Sequence, residues 1–137
     1  MSDDHLIEHK VSQQELLRGH FLHAFRDTVR LPNQDLATRE YVVHPGAVMV
    51  IPMLDTPEGL HLVLERQYRY PVGQVMIEFP AGKLDAEEFL DVFTATPAQL
   101  MAWCQNGQVT DAKTLTGALW LQNTLSGHWP LTWQSLP

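Results

Sequence analysis

Between residues 21 and 82 the chain is a succession of short β-type segments, each closed by a proline or glycine turn, and past Gly82 that pattern stops. The change confines the chain to an α+β class, strands first and helices after. Residues 21–31 alternate apolar and polar side chains and include β-branched Thr28 and Val29, which predicts a strand. Pro32-Asn33-Gln34-Asp35 is a turn signal, and residues 38–44 return as the second strand of an N-terminal antiparallel hairpin. Residues 47–53 form an apolar run rich in β-branched side chains, the pattern of a central strand buried on both faces. Asp55 to Gly59 predicts a hairpin loop, with strands at 60–66, 75–79 and 89–93 after it. Thr96-Pro97 starts a helix, Thr96 as N-cap and Pro97 at the first helical position, and Asn106-Gly107 ends it. A second helix opens at Thr110 or Asp111 and carries Leu115, Ala118, Leu119, Gln122 and Leu125 as its expected core stripe. Two regions are expected, 1–45 and 46–137.

Charge and cysteine content narrow the function classes. Sixteen acidic residues against nine basic ones leave a formal charge of −7. A nucleic-acid binder needs a basic surface to displace counterions, so no nucleic-acid partner is expected. The longest apolar stretch, 47–54, is far shorter than the roughly 20 residues of a spanning helix, so no membrane partner is expected either. Cys104 is the single cysteine and supplies neither an internal disulfide nor a cysteine-rich zinc site. The first residues are polar and acidic, without a signal-peptide pattern, and a cytoplasmic setting is expected.

Residues 39–85 carry a resemblance to a known family. HPGAV at 44–48, ERQYRYPVG at 65–73 and IEFPAGKLD at 77–85 resemble the first half of an ADP-ribose pyrophosphatase of the Nudix hydrolase superfamily. The flanks agree in order: the N-terminal hairpin is similar to the family's dimerising region, and residues 88–123 resemble its last strand and closing helices. The resemblance implies a Nudix-like mixed β-sheet and a homodimer. It also implies metal-dependent hydrolysis of ADP-ribose or a related nucleoside diphosphate sugar, giving AMP and a sugar phosphate.

The signature at the centre of that family is incomplete. The Nudix box reads G-x5-E-x7-R-E-U-x-E-E-x-G-U, with U aliphatic. Gly82 and Glu88 fit its first two fixed positions, but Thr96, Pro97, Leu100, Met101 and Trp103 stand where arginine, three glutamates and glycine belong. Those glutamates hold the Mg2+ or Mn2+ that neutralises the pyrophosphate and polarises water. Without them the resemblance implies a chain lacking the central box helix, with Glu88 as its sole candidate catalytic carboxylate. Glu87 and Asp91 are the acidic neighbours that could join it. Alternatively, Glu88 belongs to the following strand and its spacing is coincidental, the join of an internal deletion lying near 86–88. A longer, active protein with a further interior segment is a third reading.

The remaining site residues follow from the resemblance. Arg69, Glu78 and, on a weaker match, Arg39 correspond to substrate contacts, and the Ala81 backbone carbonyl to a metal contact. An arginine fork suits phosphate, although Arg69 and Glu78 could instead form a salt bridge with each other. Tyr68 and Tyr70 flank Arg69 and could either stack on a base or pack in the core. Arg66 is expected at a solvated strand end, and Cys104 as a small buried hydrophobe. The two functions left open are a hydrolase inactive in this chain and a non-catalytic dimer that binds a nucleotide sugar.

Overall fold

The computed structural model describes residues 3–82 and 89–130 and divides into two compact units, Met1–Gly46 and Ala47–Pro137. In the first unit, β1 (His9–Arg18), β2 (His23–Arg30) and β3 (Leu36–Val43) form an antiparallel sheet in that order. The expected β2–β3 hairpin is present, in register from Arg30 opposite Leu36 to His23 opposite Val43. Strand β1 was not legible, because register shifts between Lys10 and Ser12 and between Glu15 and Leu17 break its alternation. Among the described residues of this unit, Asp27 and Val29 are buried, while Leu16, Leu17, Phe21, Val42 and Val43 remain exposed.

The second unit contains β4 (Met53–Thr56), β5 (Gly59–Arg69), β6 (Gln74–Glu78) and β7 (Leu90–Ala95), then helices α1 (Pro97–Gln105) and α2 (Ala112–Leu125). Strand β5 is the axis: β4 pairs with its first residues, β7 with its middle and β6 with its last. Every pairing among the described residues is antiparallel, which corrects the expected mixed sheet. The short connections explain this for β4–β5 and β5–β6. Pro57-Glu58 and the tight turn through Gly73, which adopts φ +67°, return the chain beside itself, whereas a parallel neighbour needs a long crossover.

Residues 47–53 are not the doubly buried strand that their composition predicts. They make an isolated bridge, Met49 with Ala81, secured by Val50 N–H to Pro80 O at 2.9 Å and Gly82 N–H to Val48 O at 3.0 Å. Pro52 and Pro80 supply no N–H, so a regular ladder cannot extend through them. Met49 and Ile51 pack against the core, while Val48 and Val50 face outward.

The core sits between one sheet face and the two helices: Leu62, Leu64, Phe79, Ala95, Leu100, Val109, Ala118 and Leu121. Thr96 and Gln99 form a reciprocal cap on α1, with Gln99 N–H to Thr96 Oγ1 at 3.2 Å and Thr96 N–H to Gln99 Oε1 at 2.8 Å. Cys104 is half-buried at the rim of this core, and desolvation raises its thiol pKa, as suits a packing residue.

Helix α2 buries Thr114, Gly117, Ala118 and Leu121, while Leu119, Gln122 and Leu125 of the expected stripe are exposed. Small residues stand where the helix lies closest to Phe79, with Leu115 and Leu121 packing to either side. A Cβ at Gly117 would meet Met49 Cε at 2.7 Å and the Phe79 ring at 3.2 Å. The Phe79 backbone N–H donates to Thr114 Oγ1 at 3.0 Å, and that hydroxyl donates to Asp111 Oδ2 at 2.8 Å. Among the described residues no helix is long and apolar enough to cross a membrane.

Two outcomes test this packing. Thr114→Val keeps the shape but strands the buried Phe79 N–H, and should cost about 1–3 kcal/mol in denaturant unfolding. Asp111 caps α2 through the Thr114 N–H at 2.7 Å. Burial pushes its carboxyl pKa up, but hydrogen bonds from Lys113 and Thr114 outweigh that and leave it below the ordinary value of 3.8. Its contribution is therefore complete above pH 3.8 and lost as pH falls through the lower folded value. Asp111→Asn should be less stable than the parent at pH 7, with the gap closing in that acid window.

Candidate functional site

Alternation along β5 places Val63, Glu65, Gln67 and Arg69 on the face away from the core. Glu65 stands opposite Glu78, Gln67 opposite Met76, and Arg69 opposite Gln74. Glu65, Gln67 and Glu78 are only 6%, 8% and 1% exposed, so this face holds a buried polar cluster. Arg69 reaches diagonally across the Gln67–Met76 rung to grip Glu78, with Nε 2.8 Å from Oε1 and Nη2 2.6 Å from Oε2.

The physical need for that reach is clear. Two carboxylates directly opposed on adjacent strands repel, and burial makes the repulsion stronger. A guanidinium forked onto both oxygens of Glu78 supplies the compensating charge and directional hydrogen bonds. The structure thus brings Arg69 and Glu78 together as an ion pair, and two of the guanidinium's N–H donors are already engaged. Glu65 and Gln67 were missed in the sequence, although their period-two spacing with Arg69 places all three on one face.

The other expected residues are placed differently. Arg39 belongs to the first unit, where its guanidinium is held by the Glu8 carboxylate and donates from Nη1 to Thr38 O at 3.0 Å. Glu8 raises the Arg39 pKa further above its ordinary value. Tyr68 points to the opposite sheet face from Arg69, and both Tyr68 and Tyr70 are exposed, so neither packs in the core. In the Met49–Ala81 bridge the bonds run through residues 48, 50, 80 and 82, which directs the Ala81 carbonyl away from that pairing. Glu87 and Glu88, and the expected join near 86–88, lie outside the described residues.

Helix α1 covers positions 97, 100 and 101, which the box spacing counted from Gly82 would assign to glutamates, and it is a packing helix. Its sequence PAQLMAWCQ has no acidic residue; Leu100 is fully buried, and Met101 and Trp103 pack against the core. A divalent cation of the Mg2+ or Mn2+ type needs several oxygen ligands, mostly carboxylates. Among the described residues no three His, Cys, Asp or Glu side chains converge, Glu78 is held by Arg69, and Ala81 offers one neutral carbonyl. The described residues do not fit such an ion.

Removing Arg69 should therefore be felt first as instability. Arg69→Met leaves Glu78 buried opposite Glu65, and urea unfolding should show a loss of roughly 2–4 kcal/mol. That is somewhat below the ~3–5 kcal/mol of a fully buried pair, because Arg69 keeps about a third of its side chain exposed. Unchanged stability would show that the pair does not hold this face.

No protein-family model matches the chain. An ADP-ribose pyrophosphatase of Bacillus subtilis (strain 168) is 35% identical over 83 residues, which are 61% of this chain and 43% of that protein. A methanol dehydrogenase activator of Bacillus methanolicus is 36% identical over 81 residues, 59% of this chain and 42% of the relative. An ADP-ribose pyrophosphatase of Mycobacterium tuberculosis (strain ATCC 25618 / H37Rv) is 37% identical over 75 residues, 55% of this chain and 35% of the relative. The chain thus spans less than half the length of each of these relatives. Among solved structures, the crystal structure of an ADP compounds hydrolase matches with a TM-score of 0.74 at 13% identity, covering 95% of this chain and 100% of that one. Over its matched segment the chain is similar to ADP-ribose pyrophosphatases, and its fold is like that of an ADP compounds hydrolase.

Proposed function

We propose that this chain keeps the substrate-facing strands of an ADP-ribose pyrophosphatase but does not itself hydrolyse a pyrophosphate. The observation that carries this reading is α1, acid-free and packed into the core: on the undeleted count it stands where the glutamates belong, and on the deletion reading it is a closing helix and no described helix is left to carry them. Orienting Leu100 and Met101 into the core is incompatible with using that helix face as a metal cage. Losing the metal site removes several kcal/mol of transition-state stabilisation, each ~1.4 kcal/mol being tenfold in rate.

The binding function proposed for the chain is recognition of a nucleoside diphosphate sugar, with Arg69 and Glu78 at its centre. The Arg69 fork supports this reading because a buried carboxylate aligns the guanidinium in advance, and an aligned guanidinium suits phosphate or ribose oxygens. A homodimer formed through the N-terminal sheet belongs to the same proposal. That sheet buries little of its own apolar surface, and a thin sheet of this kind gains stability from a partner surface.

Purified chain of confirmed mass should release no AMP from ADP-ribose above a protein-free control, with either Mg2+ or Mn2+ present. In metal-free titration calorimetry ADP-ribose should bind, and Arg69→Lys, which keeps the charge but loses the fork, should weaken it about tenfold. Light scattering should give twice the 15.6 kDa of one chain. Sustained turnover would overturn the inactive reading, absent binding the ligand reading, and a concentration-independent monomer the dimer.

A further inference from the structure

On the core-side face of the sheet, opposite Arg69, an open groove of about 660 Å3 lies beside Trp103 of α1. Its floor and walls include Arg66, Asp91, Val75, Ile77, Phe93 and Trp103. The volume falls in the range of small-molecule sites, roughly 300–1,000 Å3. Arg66 stands directly opposite Asp91 on the β5–β7 ladder and opposite Ile77 on the β5–β6 ladder. Side chains so opposed have Cβ atoms about 5 Å apart and share one face.

The two charges are nevertheless unspent. Among the described residues, neither the Arg66 guanidinium nor the Asp91 carboxylate has a hydrogen-bond or ion-pair partner, and both are exposed. The other described Arg and Lys side chains of this unit, Arg69 and Lys113, are each held by a carboxylate. Beside the two charges stands an aromatic wall: the Phe93 and Trp103 ring centroids are 6.0 Å apart, and Val75, 53% exposed, and half-buried Ile77 extend the apolar floor.

We propose that this groove binds a free α-amino acid with an aromatic or large aliphatic side chain. The ammonium and carboxylate of such a molecule are separated by a single carbon, which matches opposite charges on facing rungs. Arg66 forks the carboxylate, Asp91 accepts from the ammonium, and the ligand side chain lies against Phe93, Trp103 and Val75. A nucleotide fits less well, because Asp91, unlike the Arg69-held Glu78, would face the phosphate with no described cation bonded to it. An internal peptide segment offers neither charge, and a peptide terminus offers one of the two.

Titration calorimetry on the full chain tests this with L-phenylalanine, N-acetyl-L-phenylalanine and L-phenylalaninamide as probes. L-Phenylalanine should bind saturably, and each capped analogue should bind about tenfold or more weakly, since each loses one charged hydrogen bond. Arg66→Gln should erase the difference between L-phenylalanine and its amide, and Asp91→Asn the difference between L-phenylalanine and its N-acetyl form. No saturable binding up to about 10 mM, or equal binding of the three probes, would overturn the proposal. The comparison of probes on the unaltered chain needs no variant to fold.

Discussion

The second unit depends on the two-sided character of β5. Its alternation sends Leu62 and Leu64 into the apolar core and Glu65, Gln67 and Arg69 to the other face. Because β4, β6 and β7 all pair with it, a one-residue slip would exchange the two sets and place buried charge beneath the helices. The register of three strands is therefore fixed by one segment. The two helices dock on the face that this register makes apolar.

Polarity on the opposite face is held by a balance of charge. Glu65 and Glu78 are buried across one rung, and Arg69 is the cation that grips Glu78. The salt-bridge reading and the substrate reading of Arg69 and Glu78 are thus not exclusive. A binding role must coexist with that structural one, which limits how far the arginine could swing toward a ligand without destabilising the sheet.

Helix α1 shows how packing and chemistry compete for one surface. A metal-binding helix must turn carboxylates toward its ligand, whereas α1 turns Leu100, Met101 and Trp103 into the core. Gly117 has the matching role on α2, where the absent side chain admits the Phe79 ring and brings the helix onto the sheet. Together these contacts close the unit through apolar packing. In the first unit apolar side chains remain exposed on a three-stranded sheet, which is the physical basis for proposing a partner surface there.

The sequence by itself determined the α+β class, the β2–β3 hairpin, the cap of α1 and a start of α2 at Thr110 or Asp111. All of these rest on local signals: turn residues, period-two alternation, and a Thr or Asp ahead of a helix. It also determined that no glutamate stands at 97, 100 or 101 and that Arg69 and Glu78 could meet. Tertiary structure decided what local patterns do not encode. Two register shifts hid β1, prolines at 52 and 80 kept residues 47–53 from becoming a buried strand, and α2 sets small residues where it lies closest to Phe79. Pairing across strands decided that Glu65 faces Glu78 and that Arg66 faces Asp91, because such partners are set by register between distant segments, which no single stretch of sequence specifies.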